Sequence, residues 1–282
     1  MLSPNMVAKS FKEEYKLGPV LGQGYYATVN KVYRNKKYFA VKQIRKDKFK
    51  YQPKALEQFT REISILMSLE YHPGIVGIIN VYDERDVFQI VMEYICEGNL
   101  LSFINDTGKL SEENTKIIFK QFLHDVGIVH RDLKPENKSR EKHKVKICDF
   151  GLATLHCSLA ELTTACGSRN YVAPEILNLP QYRTNTNTLD PKEPTVSYGK
   201  ECDLWSLGVI LYVCLSRTFP FNINGDISER NYILSGQFGF GHHVWKSISV
   251  EAKDLIKCLL KVDTNERITA KDALNHPWMI ET

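Results

Sequence analysis

The sequence predicts an α+β protein, with antiparallel strands in its first third and helices further along the chain. Residues 15–45 alternate apolar and polar side chains and are interrupted by glycines, which is typical of a twisted antiparallel sheet. Residues 54–70 carry apolar side chains at helical spacing. Residues 204–215 form the most apolar run, which is too short to span a bilayer, so we expect a buried helix there.

Composition bounds the class of protein. A chain of 282 residues allows one large domain or two medium ones. The formal charge of +4 is small for this length and gives no reason to expect a nucleic-acid or membrane partner. The seven cysteines contain no CxxC pair, and the first residues have no apolar core of signal-peptide length. These features favour reduced thiols and a cytoplasmic or nuclear location.

Further elements follow from local patterns. Residues 75–95 alternate as two more strands. Ser111 is a helix-capping residue type, and Glu112 and Glu113 favour the positive end of the helix that would begin there. Residues 178–200 are rich in Asn, Thr and Pro, which predicts a surface loop.

The residues with the clearest chemistry lie in the stretch 130–151, which opens with HRDLKPEN at 130–137 and closes with DFG at 149–151. Phosphoryl transfer needs a carboxylate to orient the attacking hydroxyl, a lysine beside the γ-phosphate, and an amide and a second carboxylate to hold magnesium. Asp132, Lys134, Asn137 and Asp149 supply those four groups. The tripeptide HRD or DFG alone is common by chance, but the full octet followed closely by DFG is a specific signal for phosphoryl transfer.

With these motifs the chain resembles the eukaryotic protein kinases, most closely serine/threonine kinases of the calcium/calmodulin-dependent group, checkpoint-kinase type. The resemblance implies a bilobal fold over residues 15–279. A small β-rich lobe (15–93) with one main helix, a hinge (94–98) and a larger, mainly helical lobe (99–279) are expected, with terminal extensions at 1–14 and 280–282. It further implies ATP and Mg²⁺ as cofactors, a protein substrate, and Asn137 and Asp149 as the metal ligands. Lys134 indicates serine or threonine acceptors.

The resemblance also assigns the nucleotide site. LGQGYYATV at 21–29 matches the glycine-rich loop, although GxG alone is equally typical of a plain hairpin turn. FAVK at 39–42 matches the strand-borne lysine, for which Glu62 is the expected partner; the alternative for Glu62 is a solvated side chain. Met92 matches the gatekeeper, and Glu93 and Ile95 would offer backbone groups to adenine. The residues expected around ATP are Leu21, Gly22, Gln23, Gly24, Tyr25, Tyr26, Ala27, Thr28, Val29, Ala40, Lys42, Met92, Glu93 and Ile95.

Beyond the nucleotide site, the resemblance implies an activation segment and two structural signatures. Thr164, or alternatively Thr163, matches the activation phosphosite, which implies an upstream activating kinase, and Ser168 would steady Asp132 and Lys134. Asp203, in the D-x-W-S-x-G signature, would hold the catalytic-loop backbone. Arg267 would pair with Glu175 of the APE motif.

The chain departs from the family in places that bear on activity. Ala27 replaces the third glycine of the loop, and the segment from Gln121 to His130 is about six residues, or under two helical turns, shorter than usual. Residues 138–142 are Lys-Ser-Arg-Glu-Lys, where the family has an apolar strand under the adenine. The alternative hypothesis is therefore a non-catalytic kinase-fold scaffold. Residues 272–278 resemble the last helix of the calcium/calmodulin-dependent group. His276 is expected to be a packing or capping residue, and the histidines form no cluster of metal ligands apart from adjacent His242 and His243.

Overall fold

The structure is a computed structural model that describes residues 10–23, 27–50, 63, 75–95, 100–123, 128–129, 138–141, 144–147, 154–155, 169–179, 199–221 and 227–280. The chain divides into two compact units. Unit 1 comprises residues 1–98, 139–141 and 146–151, and unit 2 comprises residues 99–138, 142–145 and 152–282.

Unit 1 is built on a five-stranded antiparallel sheet. Its strands are β1 (Lys16–Gln23), β2 (Ala27–Arg34), β3 (Lys37–Arg45), β4 (Ile78–Asp83) and β5 (Val87–Glu93), in the spatial order β1-β2-β3-β5-β4. The strands predicted in 15–45 and 75–95 are thus confirmed. Between β2 and β3 the chain reverses at Asn35 and Lys36, both with positive φ (48° and 63°), which is the backbone that a two-residue hairpin of right-handed twist requires.

One face of this sheet, which we call the lysine face, carries a buried apolar cluster. Ile44, Val81, Phe88 and Ile90 pack there with Ile63. Ile63 is helical and fully buried, in agreement with an apolar position of the helix predicted over 54–70. The rest of that helix lies outside the described residues.

The opposite face is covered by a segment whose structure the sequence patterns did not predict. Helix α1 (Phe11–Glu14) follows Ser10, and Phe11 and Tyr15 are buried against Val32, Val41, Tyr82 and Val91. The Phe11 ring stacks on Tyr15 and meets Tyr82 edge-on. The sheet is therefore packed on both sides, which explains why Val41 and Val91 are fully buried although they alternate with residues of the lysine face.

The described part of unit 2 is mainly helical. The central helix α5 (Glu201–Ser216) confirms the predicted buried helix, because every residue from Leu204 to Ser216 is buried. Gly208, the glycine of the D-x-W-S-x-G signature, faces Leu259 and Leu260, and a Cβ there would lie 2.9 Å from the Leu259 Cβ and 2.8 Å from a Leu260 methyl carbon. Glycine is thus required for this close approach. The helices are α2 (Leu100–Thr107), α3 (Glu112–Phe122), α4 (Pro174–Leu177), α5 (Glu201–Ser216), α6 (Ile227–Ser235), α7 (Val250–Leu259), α8 (Ala270–Leu274) and α9 (Pro277–Ile280).

Helix α3 begins where the sequence predicts. The Ser111 side chain accepts a hydrogen bond from the Asn114 N–H at 3.2 Å, so Ser111 is the N-cap. The last predicted helix differs from expectation, since residues 272–278 are divided between α8 and α9. The division falls just before Pro277, which lacks the N–H that a continuous helix would need.

Short strands complete the described segments. β6 (Ile128–Val129) pairs with β9 (Thr154–Leu155), and β7 (Lys138–Glu141) forms a two-stranded sheet with β8 (Lys144–Ile147). Within the described residues, no helix is both long and apolar enough to cross a bilayer.

Candidate active site

Lys42 lies in the middle of the unit 1 sheet. On β3 it is paired with Val29 of β2 on one side and Ile90 of β5 on the other. Because side chains alternate along a strand, Lys42 shares its face with Ile44, whose neighbours include Ile63. Ile63 directly follows Glu62, the expected partner of Lys42. Glu62 itself is outside the described residues, so this ion pair stays a prediction.

Five of the residues expected around ATP share the lysine face. The register places Ala27 beside Ile44, Val29 beside Lys42, and Met92 beside Ala40, and residues directly opposite each other in a sheet lie on one face. Ala40 is buried, whereas Met92 is half-buried and packs against the apolar cluster of the lysine face. The lysine therefore stands among small and apolar side chains, as a base-and-phosphate site needs.

The other described members of the expected site are placed differently. Thr28 and Glu93 belong by alternation to the opposite face, so only their backbone groups are available to the lysine face at those positions. Leu21 and Gln23 lie on the exposed strand β1, and Ile95 follows β5 as a half-buried residue.

The glycines of β1 have different roles. A Cβ on Gly18 would lie 2.8 Å from the Lys31 carbonyl oxygen, so this glycine permits the close approach of β1 to β2. A Cβ on Gly22 would meet no atom of the described residues within 4 Å. Packing against the described part of the chain therefore does not require glycine at position 22, which suits a backbone left open to a ligand. Gly24, Tyr25 and Tyr26 lie outside the described residues.

Glu93 makes contacts that the sequence analysis did not foresee. Its carboxylate accepts hydrogen bonds from Lys146 Nζ at 2.6 Å (Oε1) and 2.8 Å (Oε2), and from the Gly77 N–H at 2.6 Å. Its own N–H donates to the Gly77 carbonyl at 3.1 Å. Glu93 thus joins the end of β5 to the segment before β4 and to β8. Glu93 and Lys146 are 53 residues apart in the chain, so no local sequence pattern predicts their ion pair.

The catalytic-loop and activation-segment residues belong to parts of the chain that the structure does not describe. The flanking strands are nevertheless informative. β6 ends at Val129, immediately before the HRD motif, and β7 begins at Lys138, immediately after Asn137. Residues 138–141 of the polar segment therefore form a strand, although three of these four residues are charged. Besides Gly24, Tyr25 and Tyr26, the expected site residues outside the described set are Glu62, Asp132, Lys134, Asn137, Asp149, Thr163, Thr164 and Ser168.

The structural signatures of unit 2 are present in the described residues. Arg267 donates to both carboxylate oxygens of Glu175, at 2.8 and 2.9 Å, which confirms the predicted pair. The Ser206 hydroxyl donates to the Tyr171 carbonyl at 2.8 Å and so ties α5 to the segment before the APE motif. The role expected for Asp203 stays a prediction, because the catalytic loop lies outside the described residues.

A second cluster of possible ligands was not apparent in the sequence. One ligand atom each of Asp254, Cys258 and His276 lies within 4.8 Å of the others. His276 Nδ1 accepts the Trp278 N–H at 3.2 Å, which leaves the proton of a neutral imidazole on Nε2, where it can be donated to Asp254 at 3.3 Å. Burial and the Asp254 charge also raise the pKa of the Cys258 thiol. Both effects oppose metal binding, and His276 is confirmed as a capping and packing residue.

The chain is similar to known protein kinases. Residues 15–279 match the protein kinase domain family. The probable serine/threonine-protein kinase fhkD of Dictyostelium discoideum is 38% identical over 291 residues, which cover 96% of this chain and 38% of that protein. The serine/threonine-protein kinase cds1 of Schizosaccharomyces pombe is 35% identical over 97% of this chain and 60% of its own length. The calcium/calmodulin-dependent protein kinase type 1 of Macrobrachium nipponense is 35% identical over 95% of this chain and 75% of its own length.

This chain thus spans well under two thirds of the fhkD protein and somewhat under two thirds of cds1. The family match, the register around Lys42 and the Arg267–Glu175 pair lead to one conclusion: the chain belongs to the protein kinase family, in the group of the calcium/calmodulin-dependent serine/threonine kinases.

Proposed function

We propose that this chain is catalytically active and transfers the γ-phosphoryl group of ATP to serine and threonine hydroxyls of protein substrates. The observation that carries the proposal is the placement of Lys42, centred in the sheet on the same face as Ala27, Val29, Ala40 and Met92. A lysine in such surroundings can hold phosphate oxygens while the neighbouring small and apolar side chains receive the base.

The roles of the other residues follow from the chemistry of the transfer. Asp132 would accept the proton of the acceptor hydroxyl and orient it in line with the γ-phosphorus, and Lys134 would offset the charge on the γ-phosphate oxygens. Positioning and charge stabilisation would supply most of the rate enhancement, because the reaction needs little covalent chemistry from the protein.

The donor set suits a magnesium ion. Asn137 and Asp149 offer an amide and a carboxylate oxygen, the hard oxygen ligands that Mg²⁺ prefers when it is also bound to phosphate. When bound there, the ion would neutralise the developing charge on the triphosphate. Lys42 would contact the same triphosphate through its ammonium group.

The test is a transfer assay with radiolabelled ATP and a generic protein substrate, run for the wild type beside Asp132→Asn. We expect phosphate incorporation by the wild type and a loss of transfer in the variant, with Mg·ATP binding kept in both. Asp149→Ala should instead lose magnesium-dependent ATP binding. Equal transfer rates in wild type and Asp132→Asn would contradict the proposal. Binding without transfer by the wild type would support the scaffold alternative, which the polar β7 and the short segment after α3 motivate.

The same proposal includes regulation and location. An upstream kinase would phosphorylate Thr164 or Thr163, and the phosphate would pair with Arg131 and order the activation segment. The scattered cysteines support a cytoplasmic or nuclear site of action, and the three described ones, Cys202, Cys214 and Cys258, are not in disulfide bonds.

A further inference from the structure

The Glu93–Lys146 ion pair is more enclosed than an ordinary surface pair. The Lys146 side chain is 11% exposed and that of Glu93 is 30% exposed. An ammonium group removed from water to this extent is unfavourable unless it is paired, and here Nζ reaches both oxygens of one carboxylate. The two side chains therefore hold each other in one geometry.

The backbone around Gly77 reinforces that geometry. The Gly77 N–H donates to the same carboxylate, and the Glu93 N–H donates back to the Gly77 carbonyl. The Glu93 side chain is thus fixed from two directions, and its backbone is fixed at the last residue of β5. β5 is in turn paired to both β3 and β4, so Lys146 is bonded to a rigid part of the sheet.

The positions of Glu93 and Lys146 in the chain indicate which parts of the nucleotide site the ion pair connects. Glu93 lies where the hinge strand is expected to present backbone groups to adenine. Lys146 precedes Asp149, the expected metal ligand, by three residues, so the two Cα atoms are separated by at most about 11 Å of extended chain. One ion pair therefore connects the strand that would hold the base to the strand that leads to the metal ligand.

We propose that Lys146 is a positioning residue, whose ion pair with Glu93 sets the spacing between the adenine-binding backbone and the magnesium-binding Asp149. This inference rests on the proposed nucleotide site. Its consequence is selective: ligands that occupy both the base position and the metal position depend on the pair, whereas a ligand that occupies only the base position depends on it much less.

The experiment measures dissociation constants for Mg·ATP and for adenosine by calorimetry, with melting temperatures as a check on folding. Lys146→Met keeps the aliphatic stem and removes the charge. We expect it to weaken Mg·ATP binding about tenfold, since ångström-scale misplacement is costly, and adenosine binding less than about threefold. In the transfer assay with radiolabelled ATP, Lys146→Met should raise the KM for ATP but leave the KM for the protein substrate unchanged. Lys146→Arg should restore most of the Mg·ATP affinity, because it keeps the charge and the donors.

Two controls make the test specific. Lys46→Met breaks the ion pair of Lys46 with Asp83. This pair lies in unit 1, at the end of the β3–β5 ladder that is far from Glu93. The variant should change the dissociation constants for Mg·ATP and adenosine by less than about twofold. Glu93→Gln keeps an acceptor for Gly77 and removes the charge. The double variant Glu93→Gln/Lys146→Met should bind Mg·ATP no more weakly than the weaker single variant, because the two residues act as one unit.

The outcomes separate this inference from the proposed function. Three results would overturn the inference. Lys146→Met could weaken the binding of adenosine and of Mg·ATP equally, it could weaken the binding of neither ligand, or the wild type could bind neither ligand. A wild type that binds Mg·ATP but transfers no phosphate would contradict the proposed function alone. The selective loss in Lys146→Met would still support the positioning role in that case.

Discussion

Arg267 and Glu175, 92 residues apart in the chain, form a bidentate ion pair in which the arginine side chain is fully buried. The same guanidinium donates to the backbone carbonyls of Glu201 at 2.6 Å and Lys261 at 2.9 Å. Arg267 therefore ties the APE motif, the start of α5 and the segment after α7 together, with four hydrogen bonds from a rigid fork that a lysine cannot reproduce.

The first prediction concerns this pair. Arg267→Met should lower the free energy of unfolding by about 3–5 kcal/mol, because it leaves a largely buried carboxylate and two carbonyls without their partner. Arg267→Lys should also destabilise the protein, since one ammonium cannot satisfy all three groups. Denaturant unfolding measures both. The control is Lys261→Met, which breaks the exposed Lys261–Glu266 pair and should cost under about 1 kcal/mol. A similar loss in Arg267→Met and the control would contradict the prediction.

The second prediction is a pH dependence at Glu112. Burial by itself would raise the pKa of this carboxyl, but hydrogen bonds from the Ser249 hydroxyl and N–H and from the Trp278 indole outweigh it and lower the pKa. A lowered pKa in the folded state means that the stabilisation is present above the unfolded-state pKa, about 4.3, and is lost as the pH falls through the folded-state value. The stability that Glu112 adds should therefore be full at pH 7 and decline below about pH 5.

The measurement compares Glu112→Gln with wild type by thermal unfolding from pH 7 down to pH 3. Glutamine offers a single acceptor oxygen to three donors, so we expect a loss of about 1–3 kcal/mol at pH 7 that shrinks in acid. Glu113→Gln is the matched control, because Glu113 is exposed in the same helical turn. A gap between Glu112→Gln and wild type that stays constant with pH would exclude the assigned role.

The third prediction concerns α1. Phe11→Ala should destabilise unit 1 by no more than about 3 kcal/mol, which is the low end of the range for removing a buried aromatic ring. The loss stays at the low end because the short helix can detach locally, so that no full cavity is left. Hydrogen exchange should show faster opening around Tyr15 and Tyr82. Lys12→Ala, at an exposed position of the same helix, should leave exchange unchanged. Protection that is equal in both variants would mean that the ring contributes nothing.

The fourth prediction concerns activation. Mass spectrometry of active protein should find phosphate on Thr164 or Thr163, and Thr163→Ala/Thr164→Ala should lower the transfer rate while leaving Mg·ATP binding unchanged, because the phosphate orders the segment rather than the nucleotide. Full activity of the double variant would refute this mechanism.

The fifth prediction concerns β7. Burying an apolar side chain against a ligand contributes roughly 1.5–3 kcal/mol, so the polar strand should give a weaker ATP site than an apolar one. Replacing Lys138, Ser139 and Arg140 by Leu, Leu and Val should lower the dissociation constant for ATP about tenfold or more. An unchanged constant would mean that other residues already supply the floor of the base site.

Much of the fold could be predicted because it follows from short-range patterns. Alternation gave the strands of 15–45 and 75–95, the apolar run gave α5, and Ser111 marked the start of α3. The Arg267–Glu175 pair could be predicted only through the family motifs, since nothing local to either residue indicates the other. The division of residues 272–278 into two helices was missed, although Pro277 carried the signal.

The sequence by itself determined the family, the order of the chemical groups and the type of the main strands and helices, because motif spacing and periodicity are local properties of the chain. Only the tertiary structure decided that Phe11 packs on the back of the sheet, that Glu112 collects donors from Ser249 and Trp278, and that Glu93 is bonded to Gly77 and Lys146. These contacts join residues that are distant in the chain, and the same side chains would suit a solvated surface equally well. Their pairing is set by how strands and helices pack, and no period of two or 3.6 residues carries that information.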